Sequence, residues 1–211
     1  MILNASILSN DFKAIDLVKK FNDTKIKYIH LDIMDGKFVN NKSFTISEIK
    51  KLNDISKKPF DVHLMVKNPI KYIDELAMMN VEVITFHYEA VKNIQEIITL
   101  IKNYGVKVGI AINPKTDVNV LIPYLNLIDV VIIMSVEPGY SGQAFIESSY
   151  NKVHLLKELI TTNNLKTLIE VDGGVNDTNA EKLKEAGVDI LVSASFIHNN
   201  TEENIKYLTE L

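Results

Sequence analysis

Polar residues alternate with apolar ones in two otherwise strand-like runs, His30-Leu31-Asp32-Ile33-Met34 and Asp61-Val62-His63-Leu64-Met65. Residues two apart in a strand share a face, so His30, Asp32 and Met34 point the same way. An imidazole and a carboxylate on an inner face are costly to bury unless something pairs with them. A metal ion is the simplest partner. A third run, Leu168-Ile169-Glu170-Val171-Asp172, ends on another carboxylate ahead of Gly173 and Gly174. Together His30, Asp32, His63 and Asp172 suit one divalent first-row ion, Zn, Fe(II), Mn or Co, without choosing among them. Two carboxylates beside such an ion can also move protons. One takes a proton from a carbon next to a carbonyl; the other returns one from the far side. The substrate passes through an enediolate and leaves as an epimer.

Each residue also has a plainer reading. A lone strand histidine is more often a hydrogen-bonded core residue than a ligand. Convergence of four such groups shifts the balance to metal. His87 closes an apolar run but has no partner at ligand spacing, so it reads as an ordinary core histidine. His154 and His198 fall in a helical and a loop segment and are expected at the surface. Asp35 before Gly36 reads as turn chemistry. Met34, Met65 and Met134 each end a strand-like run and could together form a polarisable apolar lining.

The elements that must hold these residues alternate regularly. Candidate strands cover 2–7, 28–33, 60–65, 83–87, 107–112, 130–134, 167–171 and 190–193. Helical patterns cover 11–21, 46–52, 69–79, 94–104, 118–125, 150–160, 178–186 and 202–211. Ile94, Ile97, Ile98 and Ile101 have the spacing of one buried helical face. Asn68 before Pro69 reads as a cap ahead of a first-turn proline, and Gly105 and Gly187 as stops. Each strand-plus-helix unit spans roughly 26 residues, a usual length for a βα repeat. The expected fold is α/β, a single (β/α)8 TIM barrel over residues 1–211. A Rossmann-type sheet would want a glycine-rich turn after its first strand, and Ser6-Ile7-Leu8-Ser9 has none. Gly36, Gly139, Gly142, Gly173 and Gly174 lie just past strand ends, at the rim where this barrel type builds its chemistry. The stretch Gly139-Tyr140-Ser141-Gly142, with Gly173, Gly174, Ala194 and Ser195, could offer backbone N–H groups to a phosphate.

Bulk properties narrow the class. The chain has 211 residues, 46% hydrophobic and 24% charged, with a net charge of −4. That acidic balance argues against a nucleic-acid partner. No apolar run is long enough to span a bilayer, so no membrane association is expected. The absence of cysteine suits a cytoplasmic setting.

Five segments carry a family resemblance: Ala5-Ser6-Ile7-Leu8, His30 to Val39, Asp61 to Val66, Val136 to Phe145 and Glu170 to Val175. In order and over nearly the whole chain, they resemble the ribulose-phosphate 3-epimerases. The resemblance implies a barrel that interconverts D-ribulose 5-phosphate and D-xylulose 5-phosphate in the pentose phosphate pathway. It implies His30, Asp32, His63 and Asp172 as metal ligands, with Asp32 and Asp172 as the acid/base pair. Ser6 matches a sugar-contacting serine. Gly139 to Gly142, Gly173, Gly174, Ala194 and Ser195 match stretches that hold substrate and phosphate, and His63 lies beside them. Ala194 stands where the family usually has glycine. At positive φ it would cost about 1–2 kcal/mol, while at a helix start it would be harmless.

Three rivals remain. An epimerase of a hexulose phosphate such as allulose 6-phosphate would share the chemistry. An orotidine-phosphate type decarboxylase needs a lysine where Ile33 and Met34 stand. A barrel that binds phosphosugars without turnover would not need all four polar groups. The sequence leaves a homo-oligomer open.

Overall fold

The structure is a computed structural model that describes residues 1–9 and 11–211. Its strands are β1 Ile2–Ser6, β2 Tyr28–Met34, β3 Phe60–Met65, β4 Val81–His87, β5 Lys107–Ile112, β6 Val130–Met134, β7 Leu168–Asp172 and β8 Ile190–Ser193. They close into one parallel barrel in chain order, β8 pairing back onto β1. Around it lie α1 Ala14–Phe21, α2 Ile46–Ile55, α3 Ile70–Ala77, α4 Ile94–Asn103, α5 Ser149–Thr162, α6 Ala180–Ala186, α7 Ser195–Asn199 and α8 Thr201–Glu210. The (β/α)8 barrel expected from the alternation is the fold found.

Local signals explain most boundaries. The isoleucines 94, 97, 98 and 101 of α4 are all buried against the barrel, and Asn93 caps the helix by accepting from Glu96 N–H. Thr45 and Glu48 form a reciprocal capping box on α2, which fixes its start. Gly187 ends α6 at φ 105°, a left-handed conformation that suits glycine. Pro69 sits at the cap position of α3 rather than in its first turn.

One element departs from expectation. The segment 118–125 forms no α-helix; short 3-10 turns cover Val118–Leu121 and Leu125–Leu127. Pro123 falls between them, where its missing N–H and its clash with the preceding residue break helical continuity.

Two apolar layers hold the molecule together. The larger lies between barrel and helices and includes Leu3, Phe21, Phe60, Phe86 and Leu191, each at most 1% exposed. Inside the barrel, a smaller cluster of Val83, Ala111, Val130, Ile132, Met134 and Val136 fills one side. The other side of the interior is polar: Asn4, His30, Asp61, His63 and Glu170 are all buried there. Such an uneven interior is expensive unless every polar group is paired. No helix among the described residues is long and apolar enough to cross a membrane.

Candidate active site

Strand register decides which side chains meet. Asp32 on β2 pairs level with His63 on β3, and Met34 with Met65 one step nearer the C-terminal rim. On the opposite side, Met134 of β6 pairs with Asp172 of β7. Strands β7 and β2 are three steps apart through β8 and β1, so their inward residues can meet over the axis. His30, Asp32, His63 and Asp172 each offer one ligand atom, all within 4.8 Å of one another.

The individual distances test whether one ion fits. His30 Nε2 lies 3.4 Å from Asp32 Oδ1 and 3.7 Å from Asp172 Oδ2. His63 Nδ1 lies 3.2 Å from Asp32 Oδ1 and 3.3 Å from Asp172 Oδ2. A tetrahedron with bonds of about 2.0–2.2 Å has edges of about 3.3–3.6 Å. The four separations come within about 0.1 Å of that range. His30 Nε2 is moreover a buried nitrogen with no hydrogen-bond partner among the described residues, aimed into this cluster. Such an atom calls for a ligand.

Electrostatics point the same way. Burial alone would raise Asp32, but the adjacent His30 and His63 imidazoles hold its carboxyl well below the usual range. Burial alone would lower His30, yet Asp61 and Asp32 raise it well above an ordinary imidazole. The cluster therefore favours positive charge at its centre, and protons and a metal cation compete for it.

A second layer supports the first. His30 Nδ1 lies 2.7 Å from Asp61 Oδ2, which also accepts from Asn4 Nδ2 at 2.9 Å. With its proton on Nδ1, His30 keeps the Nε2 lone pair free. Glu170 Oε1 stands 3.5 Å from the same Nδ1. Burial and the nearby Asp61 charge push the Glu170 carboxyl well up, toward its neutral form. His30, Asp61 and Glu170 form a compact buried group themselves. Its imidazole nitrogen is already bonded to Asp61, so the group braces His30.

The cavity beside this cluster collects the remaining candidates. Ser6, Met34, Met65 and Met134 line it together with Asp32 and Asp172. Gly139, Tyr140, Ser141 and Gly142 close one side, and Gly173, Gly174, Ala194 and Ser195 another. His30 and His63 lie beneath, fully buried. Ser6 Oγ donates to Asp32 Oδ2 at 2.9 Å and so fixes the carboxylate's rotation. Tyr140 lines the cavity although it is 57% exposed. The loop after β6 is braced by Gln143 Nε2, which donates to the carbonyls of Glu137 and Tyr140. Ala194 has φ −122° and caps the short α7, so alanine fits there without left-handed strain.

Comparison with known proteins gives the same picture. A family model described as "Ribulose-phosphate 3 epimerase family" matches residues 2–198. The chain belongs to the ribulose-phosphate 3-epimerase family. A ribulose-phosphate 3-epimerase from Buchnera aphidicola is 38% identical over 207 residues, covering 94% of this chain and 89% of its own. One from Methanocaldococcus jannaschii is 41% identical over 196 residues, covering 92% and 83% respectively. Among solved structures, a tryptophan synthase complex from Pyrococcus furiosus superposes with TM-score 0.69 at 16% identity, covering 99% of this chain and 95% of that one. That last likeness concerns the barrel alone.

Within this epimerase-family barrel two histidines differ from expectation. His198 is not at the surface: it is buried on α7, and its Nε2–H donates to the carbonyl of Ser6 at 2.8 Å. Its place between Phe12 and Phe21 explains the burial. His87 is not an unpartnered core residue either. Its Nε2 lies 2.8 Å from His63 Nε2, and its Nδ1 lies 3.3 Å from Glu89 Oε2. Burial holds its pKa down at about 4, so the ring is neutral. Asp35 behaves as read from the sequence, accepting from the backbone N–H groups of Lys37, Phe38 and Lys67. The exposed His154 does so too.

Proposed function

We propose that the chain interconverts D-ribulose 5-phosphate and D-xylulose 5-phosphate at C3, in the cytoplasm. His30, Asp32, His63 and Asp172 hold one divalent ion of the Zn, Fe(II), Mn or Co kind, and Asp32 and Asp172 act as the acid/base pair. The observation that carries the reading is the meeting of two carboxylates, from strands three steps apart, beside two buried imidazoles and a glycine-rimmed cavity. A bound ion of this kind supplies positive charge beside the substrate's oxygens, which makes the C3 proton more acidic.

The protein's own groups do the proton work. One aspartate, as carboxylate, takes the C3 proton from one face. The other, as carboxylic acid, gives a proton to the opposite face, leaving the pair with their protonation exchanged. Nothing is oxidised or reduced. Ser6 keeps Asp32 from rotating, while Asp172, with 14% of its side chain exposed against 6% for Asp32, faces the cavity more openly. Met34, Met65 and Met134 give the reacting carbon a polarisable apolar wall that excludes water. Backbone N–H groups of the loops after β6, β7 and β8, with Ser195, receive the phosphate.

Gly174 is the glycine of that phosphate cradle where an added side chain would meet backbone rather than a side chain. It has φ +64°, and a Cβ there would fall 2.8 Å from the backbone N of Phe145 and 3.0 Å from the carbonyl O of Gln143. Strain of about 1–2 kcal/mol from the left-handed backbone must move the loops that meet there. Gly174→Ala is expected to raise KM for the phosphosugar about tenfold, since about 1.4 kcal/mol is a factor of ten. An unchanged KM would remove this loop junction from substrate binding.

The function itself is tested by supplying the metal-reconstituted protein with ribulose 5-phosphate in deuterated water. The expected result is xylulose 5-phosphate carrying deuterium at C3, formed faster than the matching product from allulose 6-phosphate. Binding without turnover would favour a non-catalytic barrel, and a faster hexulose reaction would move the substrate to that class.

A further inference from the structure

The imidazole of His63 does not end at the metal cluster; it continues outward through two more side chains. His63 and His87 are both fully buried, with ring centroids 4.9 Å apart and planes 24° apart. Their Nε2 atoms lie 2.8 Å apart, so one ring must donate and the other accept. His87 Nδ1 in turn lies 3.3 Å from Glu89 Oε2. Glu89 is itself fixed, because its other oxygen accepts from Asn113 N–H at 2.8 Å and from Thr116 Oγ1. The Phe38 ring packs on His87 at 4.7 Å and leaves it little room to turn.

With a cation in the cluster, only one placement of protons satisfies every atom in this chain. For His63 Nδ1 to face a cation with its lone pair, its proton must be on Nε2. His63 then donates to His87 Nε2. His87 carries its own proton on Nδ1, where a carboxylate waits to accept it. Reversing the order would point a bare Nδ1 lone pair of His87 at the Glu89 carboxylate and put a proton on the His63 atom that faces Asp32 and Asp172.

We infer that His87 and Glu89 are positioning residues that fix the proton of His63 on Nε2 and so hold its Nδ1 ready for the metal. The inference rests on the metal reading given above. His87 touches neither the cavity nor the cluster's ligand atoms, and it acts through His63. It is the counterpart, on β4, of Asp61 behind His30.

The test compares full-length wild type, His87→Leu, His87→Gln and Glu89→Gln, each stripped of metal and titrated with Co(II) against a competing chelator. His87→Leu is expected to weaken Co(II) binding about 10–100-fold and to change the visible absorption bands of the bound ion. His87→Gln places a side-chain oxygen near the lost Nε2 and should stay close to wild type in both. A packing role would give the reverse order, since leucine suits an apolar contact better than an amide. Glu89→Gln should lose about tenfold. Wild-type affinity and spectrum in His87→Leu, or equal loss in His87→Leu and His87→Gln, would overturn the inference. If His87→Leu does not fold by circular dichroism, Glu89→Gln decides, and wild-type binding there overturns it. Wild-type protein that takes up no stoichiometric Co(II) would instead defeat the metal reading itself.

Discussion

Asp172→Asn lowers kcat for epimerisation by about 10²–10⁴, the usual worth of a positioned acid or base. The amide keeps the shape and an oxygen toward the cluster but can no longer exchange a proton. Asp32, held in place by Ser6 Oγ at 2.9 Å, still faces the reacting carbon. The variant is therefore expected to keep exchanging the C3 hydrogen with solvent in one substrate isomer while failing to convert it to the other. Asp32→Asn should give the complementary pattern, with exchange in the opposite isomer. Proton NMR in deuterated water reads both. Wild-type conversion by Asp172→Asn, or exchange in the same isomer for both variants, would contradict a scheme with one acid on each face.

His63→Ala has the second large effect. It removes one of the four proposed ligand atoms and leaves His87 without its partner at 2.8 Å. The carboxylates of Asp32 and Asp172, separated from His63 Nδ1 by 3.2 and 3.3 Å, also lose their shared neighbour. Dialysed protein should fall from one bound divalent ion per chain toward none, by elemental analysis. Charge stabilisation by a catalytic ion is worth several kcal/mol, so kcat/KM should drop by about 10²–10⁴. Adding excess metal should restore part of that activity, because three ligand atoms remain. Unchanged stoichiometry after dialysis would take His63 out of the ligand set.

The clustering of His30, Asp32, His63 and Asp172 was legible in the sequence for a simple reason. In β2, the period of a strand puts His30, Asp32 and Met34 on one face, and that pattern needs no tertiary information. The same rule applied to Asp61 with His63, Glu170 with Asp172, and Thr85 with His87 would have marked the supporting residues as inward-facing. Their partners could not be read this way. Which carboxylate stands behind which imidazole depends on register, where Ser6 pairs with His30 and His30 with Asp61. His198 escaped for a related reason. It lies in a short helix after β8 whose docking on Ser6, 192 residues earlier, leaves no local trace. The segment 118–125 has apolar spacing compatible with a helix, but Pro123 within it breaks the helix into short 3-10 turns.

Four side chains from β2, β3 and β7 are proposed to share one cation. Diffraction from metal-loaded crystals, measured at the absorption edge of the loaded metal, tests this directly. The expected result is a single anomalous peak about 2.0–2.2 Å from His30 Nε2, Asp32 Oδ1, His63 Nδ1 and Asp172 Oδ2. A peak elsewhere on the molecule, or none at full loading, would contradict it.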